Sequence, residues 1–204
     1  MKISEDITNR IKSVGRGNYF TADDFADIAS PDTIRQNLSR LAKTGFLVRV
    51  ANGFFHYPET LPESDIRKPV QPSTYMYEYA KKYKFDVVEI DTRIFDSLRA
   101  KNPYEGETVF LTNGKSRVIR FEDTYDIRLV KTTNVNYFKF ESNLTASLLY
   151  VVSLIGKDKL TRKQKETIRL IFYTTISPSR KFYTDFSTFT HARQLLPKWF
   201  WEIL

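Results

Sequence analysis

Apolar positions recur at helical spacing from the start of the chain. Ile3, Ile7, Ile11 and Val14 fall on one side of a predicted helix; Ser4 caps it, and Glu5 and Asp6 sit in its first turn, where the helix dipole favours anions. The glycines of 15–17 end it, and 18–20 form a short extended piece. Thr21 then caps a second predicted helix over 22–29 that buries Phe25 and Ile28. Ser30 at the N-cap and Pro31 at the first helical position open a third, which runs to about Lys43 with Gly45 beyond its end. Two extended runs follow, 46–50 and 54–57, with Asn52-Gly53 between them as a hairpin turn.

The pattern breaks at 58–73, which holds four prolines and no helical period. A helix is predicted next over 73–85, with Tyr75 and Tyr79 inward and Met76 and Tyr83 beside them. A short buried strand over 86–90 and a helical turn or two over 93–100 follow. Residues 107–121 read as a second hairpin around Asn113-Gly114, and 125–132 and 136–142 as two more strands. Ser142 caps a helix carrying Leu144, Leu148, Val152 and Ile155, which Gly156 stops. Thr161 and Gln164 have the spacing of a capping box, opening a helix with Ile168, Ile171 and Phe172. A final helical region carries Phe186, Phe189, Leu195 and Leu196, and Pro197 begins the last turn.

The order helix, short strand, helix, helix, hairpin is that of a winged helix-turn-helix. The expected class is therefore α+β: a winged helix-turn-helix over 1–60, a linker over 61–72, and over 73–204 a mixed α/β domain with an antiparallel sheet and C-terminal helices. The 204 residues suffice for two small domains, and 16 Phe and 12 Tyr can fill their cores. No apolar run reaches the roughly 18 residues of a membrane span, the first residues lack the apolar core of a signal peptide, and cysteine is absent. A soluble cytoplasmic protein without disulfides is expected.

Charge changes this picture. The net charge is +8, with a pI near 9.5, which favours acidic partners and nucleic acid first; ordinary solubility is the plain alternative. The segment 18–31 has three acids (Asp23, Asp24, Asp27) and no base, whereas 30–57 has four bases (Arg35, Arg40, Lys43, Arg49) and one acid, Asp32. On the third predicted helix Ile34, Leu38 and Leu41 share a narrow inward arc. Asp32, Gln36, Ser39 and Lys43 lie opposite, flanked by Arg35, Arg40 and Thr33. In a helix-turn-helix this outer side enters the major groove, where Arg and Gln pair with base edges and Ser and Lys suit phosphates. The hairpin adds Arg49 and Asn52, and the aspartates of 23–27 would face solvent. Candidate DNA-binding residues are thus Thr33, Arg35, Gln36, Ser39, Arg40, Lys43, Arg49 and Asn52. Against this, residues 1–60 hold eight bases and seven acids, a small excess. A protein-docking module of the same shape remains the alternative.

From Ser142 onward there are ten bases and four acids. Lys157, Lys159, Arg162, Lys163, Lys165 and Arg169 form a second basic cluster, either a solvated helix face or a surface for an acidic partner. Signals for catalysis are weak. Residues 112–116 match the tail of a phosphate-binding loop, but Val109 stands where its first glycine is needed. Asp86, Glu89 and Asp91 would suit a metal-dependent nuclease only with a lysine at the right spacing, and none follows. His56 and His191 are far apart in sequence, with no ligand-like acid beside either. No catalytic residue, metal or cofactor is expected.

The segments quoted above together resemble one family. Residues 14–59 look like the N-terminal winged helix of AbiEi-type antitoxins, the partners of nucleotidyltransferase toxins in bacterial abortive-infection (type IV) toxin–antitoxin systems. "VFLTNGKSRVIRF" resembles that family's hairpin, with Asn113 where Asp is common; "SLIGKDKLTRKQKETIRLIF" resembles its helix pair, and "LLPKWFWEIL" its ending. The resemblance spans nearly the whole chain, loosely over 60–105. It implies a phage-defence antitoxin and transcriptional repressor without enzymatic activity. Its winged helix would bind inverted repeats in double-stranded DNA of its own promoter. Its C-terminal domain would neutralise the toxin, in a manner described for this family as needing no tight complex, with the cluster from Lys157 to Arg169 as the candidate surface.

Overall fold

The computed structural model describes residues 3–62, 64–121, 125–140, 142–176 and 198–203. Helices are mixed with two sheets, and no helix among the described residues is long and apolar enough to cross a membrane. The chain divides into two compact units, Met1–Tyr83 with Ile119–Asp126, and Lys84–Val118 with Ile127–Leu204.

In the first unit α1 (Ile3–Val14), β1 (Tyr19–Phe20), a 3₁₀ turn (Ala22–Phe25), α2 (Pro31–Lys43), β2 (Val48–Ala51), β3 (Phe54–His56) and α3 (Pro72–Lys82) follow in order. The strands form an antiparallel sheet, β1-β3-β2, with Tyr19 opposite His56 and Arg49 opposite Phe55. All three residues of β3 are buried, because both faces of this strand are covered. Phe55 joins Ile7, Ile11, Phe25, Ile34 and Leu38 in one core. The opposite face presents Phe54 and His56 to Tyr19, which stacks on both at 5.2 and 4.5 Å. Tyr79 and Tyr75 of α3 meet the same two rings edge-on.

These aromatic contacts place α3 in the first unit, although the sequence reading assigned it to the second. Tyr75 and Met76 are buried as expected, whereas Tyr83 is 44% exposed. The predicted second helix is reduced to the 3₁₀ turn. Asp24 there turns its carboxylate back onto the Thr21 backbone N–H at 2.7 Å, closing a capping box over a very short element. The β2–β3 turn also departs from the expected form: Gly53 takes a positive φ of 71°, Asn52 does not, and the register shifts between Arg49 and Ala51. The extra residue buries both Val50 and Ala51 while Arg49 stays exposed.

The second unit contains β4 (Val87–Ile90), α4 (Arg93–Ser97), β5 (Thr108–Thr112), a 3₁₀ turn (Val135–Lys139), α5 (Asn143–Ile155), a second 3₁₀ turn (Lys157–Lys159), α6 (Arg162–Ile176) and a short helix, Lys198–Ile203. β6 (Arg117–Phe121) and β7 (Tyr125–Lys131) complete a four-stranded sheet of order β4-β5-β7-β6. β4 and β5 are antiparallel as expected, but β5 runs parallel to β7. Asn113-Gly114 therefore does not close a hairpin between neighbouring strands. Gly114 is absent from the positive-φ glycines, and Asn113 instead clamps Asp86: its Oδ1 accepts from the Asp86 N–H at 2.9 Å and its Nδ2 donates to the carboxylate at 2.8 Å. The connection crosses to the far strand, and β7 fills the gap.

Residues 136–142, expected as a strand, begin instead within a 3₁₀ turn that the Asn134 side chain caps by accepting from the Asn136 N–H. Ser142 caps α5 by accepting from the Leu144 N–H at 3.2 Å, and Gly156 ends it at φ 90°. The α5 stretch Thr145–Val152 is buried throughout, against Val88, Ile90, Val109 and Leu111 of the sheet. The Thr161–Gln164 capping box is present, with bonds of 2.9 and 3.2 Å. Phe200 and Ile203 of the last helix enter the same core as Ile168. Phe186, Phe189, His191, Leu195, Leu196 and Pro197 lie outside the described residues.

Candidate nucleic-acid interface

α2 starts where Ser30 adopts extended backbone and Pro31 supplies a fixed φ. Ile34 and Leu38 are buried and Leu41 packs beside them. Asn37 is also buried, and its amide donates to the Thr33 carbonyl one turn back, at 2.8 Å. With the inner side fixed this way, Asp32, Arg35, Gln36, Arg40 and Lys43 are all exposed and Ser39 is half-buried. Thr33 flanks this side, half-buried, with its hydroxyl 2.9 Å from that of Ser30.

Two bonds organise the outer side. Arg49 Nη2 donates to Ser39 Oγ at 2.6 Å, joining β2 to the middle of α2, while the same guanidinium lies 5.5 Å from the Phe55 ring centroid. Arg49, placed by sequence on a separate element, thus continues the basic side of the helix. Arg35 Nη1 donates to Asp32 Oδ1 at 2.6 Å. Both groups are well exposed, so this pair is worth little and exchanges readily with another anion. No hydrogen bond or ion pair among the described residues engages the side chains of Gln36, Arg40, Lys43 and Asn52.

The acids of 23–27 do more than face solvent. Arg10 of α1 grips Asp27 with two bonds of 2.6 and 2.7 Å, and the bonded guanidinium holds that carboxyl at about 2. Lys82 of α3 forms an ion pair with Asp24. The acidic stretch therefore fastens α1 and α3 around the 3₁₀ turn.

Sequence reasoning missed two further arginines. Arg67, from the proline-rich strap, and Arg120, from β6, line a groove together with Val48, Arg49, Val50, Ala51 and Asn52. Nothing periodic marks either residue; only the folded chain brings them beside β2. Arg67 Nη2 donates to the Gly45 carbonyl at 3.0 Å, and Arg120 holds Asp126 through bonds of 2.8 and 3.0 Å.

The second basic cluster is divided. Arg162 pairs with Glu166 at 3.0 Å, and Arg169 donates to the Ile203 carbonyl. Lys157, Lys159, Lys163 and Lys165 are exposed. As for the carboxylates considered for catalysis, Asp86 is engaged by Asn113, and Arg93 holds the Asp91 carboxyl below its usual range. Burial, and secondly the charge of Asp91, push Glu89 up. Among the described residues no three His, Cys, Asp or Glu side chains gather in a group able to hold a metal ion. His56 is packed between Tyr19 and Tyr75.

No curated protein and no solved structure matches this chain. A family model matches residues 6–176, and the chain belongs to that family, DUF6088, a family of unknown function.

Proposed function

We propose that the first unit is a winged helix that binds duplex DNA, with α2 in the major groove and the β2–β3 hairpin as its wing. The observation that carries this reading is the Ser39–Arg49 bond, which ties the hairpin to the outer side of α2. Gln36, Arg40 and Lys43 extend from that side with no partner among the described residues, Arg49 is bonded to it, and Asn52 is exposed at the hairpin turn. Arg40 and Gln36 have the chemistry for base edges, Lys43 and Arg49 for phosphates. Thr33, Arg35 and Ser39 flank or support them. Arg35 contributes less than its charge suggests, since Asp32 competes for it.

The biological role follows from the sequence resemblance: a cytoplasmic repressor of its own promoter, and an antitoxin countering a nucleotidyltransferase toxin without a tight complex. The family match assigns no activity, so this half of the reading rests on the segments quoted above. The exposed lysines at 157, 159, 163 and 165 are the surface we assign to neutralisation.

A gel shift with the DNA upstream of the gene tests the interface. Arg40→Ala should weaken binding by about 1–3 kcal/mol and relax preference at one base pair. Arg35→Ala with Arg40→Ala should weaken it further. If the double variant shifts that DNA as well as wild type does, α2 is not the recognition element.

A further inference from the structure

We infer that the groove lined by Arg49, Arg67 and Arg120 is a second phosphate-binding surface, which extends the DNA footprint from the hairpin along the duplex backbone. This rests on the DNA-binding reading above and adds to it two residues from outside the helix-turn-helix segment.

The residues themselves carry the inference. Among the described residues, every charged side chain lining the groove is an arginine, and the rest of that lining is Val48, Val50, Ala51 and Asn52. Guanidinium is the cation best matched to a phosphate, since its planar fork meets two oxygens at once. The three arginines come from three places in the chain: the edge strand β2, the strap and β6. Arg49 is held by the Ser39 hydroxyl and Arg67 by the Gly45 carbonyl, both neutral acceptors, whereas Arg120 is paired with the Asp126 carboxylate, with which a phosphate would have to compete. Such contacts orient a guanidinium at small entropic cost to a later ligand. The strap residue is fixed as well, because Thr60 bridges to Arg67 and the Lys68 N–H donates to the Glu59 carbonyl at 2.9 Å.

Position is the second observation. β2 is the edge strand of its sheet, so the groove opens beside the hairpin rather than on the opposite side of the unit. Asn52, at the hairpin turn, lines this groove, so a backbone that leaves the hairpin tip along it meets Arg67 and Arg120.

The test is fluorescence anisotropy with the full-length protein, a 30-base-pair duplex from its own upstream region, and an unrelated duplex of equal length. Phosphate contacts bear no sequence information, so Arg67→Gln with Arg120→Gln should weaken both duplexes alike. The slope of log affinity against log salt should fall by about 1.8, roughly 0.9 per lost contact. The advantage of wild type over the variant should therefore shrink about tenfold between 50 and 200 mM salt. Arg67→Lys with Arg120→Lys, which keeps the charge, should restore most of the slope. Unfolding followed by circular dichroism identifies a glutamine variant that fails to fold, and the lysine variant then decides. Wild-type binding with an unchanged slope in the glutamine variant would overturn the groove assignment and leave the α2 interface standing. Failure of wild type to bind either duplex would overturn the DNA reading itself. Binding of single-stranded RNA or polyglutamate, lost in the glutamine variant while duplex binding is kept, would also refute the inference.

Discussion

Protonating His56 should loosen the first unit from within. The imidazole is 3% exposed and stacked on Tyr19, with Tyr75 edge-on. Burial lowers its pKa from the ordinary 6.5 to about 4, and the charge of Glu59 opposes that shift only in part. A histidine whose folded pKa is depressed stays neutral in the native state while the unfolded chain takes up a proton. Stability is therefore unaffected above pH 6.5 and is lost as pH falls from 6.5 towards 4. At pH 5 the loss is about 2 kcal/mol, from the ratio of the two binding polynomials. That is a sizeable part of the stability of a unit this small. The ring should titrate near 4 by NMR, its signal assigned by its disappearance in His56→Gln. Urea unfolding at pH 7.5 and 5.0 should show a pH-dependent loss in wild type larger by about 2 kcal/mol than in His56→Gln. A ring that titrates near 6.5, or equal losses in the two proteins, would refute the argument from burial.

Other outcomes follow from single contacts. Asn113→Asp should destabilise the second unit by about 1–2 kcal/mol at neutral pH, because it sets a carboxylate against that of Asp86; the loss should recover in acid, where one of the two is protonated. A double-mutant cycle on Lys82→Met and Asp24→Asn should give a coupling of about 1 kcal/mol, since the pair is only partly exposed. Phe25→Ala should cost about 3–5 kcal/mol in thermal or urea unfolding, because the ring is fully buried beneath α1 and α2.

Local signals in the sequence were read well where one residue decides the structure. Ser30-Pro31, Ser142, Gly156 and the Thr161–Gln164 box each start or stop a helix through their own backbone or side-chain chemistry, and each does so in the structure. The outer side of α2 was legible for the same reason, since Ile34, Leu38 and Leu41 leave one arc free. Misreadings cluster where partners distant in sequence decide. Asn113-Gly114 suits a hairpin by itself, but the Asn113 side chain is taken by Asp86, 27 residues earlier. α3 follows a proline-rich strap that resembles a boundary, yet its tyrosines are needed to cover the second face of β3. The Asp24 and Asp27 partners, Lys82 and Arg10, carry no signal of pairing in the sequence. Arg67 and Arg120 were invisible as site residues because nothing periodic links them to the hairpin they accompany.

The central claim is that α2 and the β2–β3 hairpin form one DNA-binding surface. The most direct measurement is an NMR titration of isotope-labelled protein with a duplex from its own upstream region. The account predicts that the largest shifts fall on Gln36, Arg40, Lys43, Arg49 and Asn52. Shifts confined to other residues, or no shifts at all with this duplex, would contradict it.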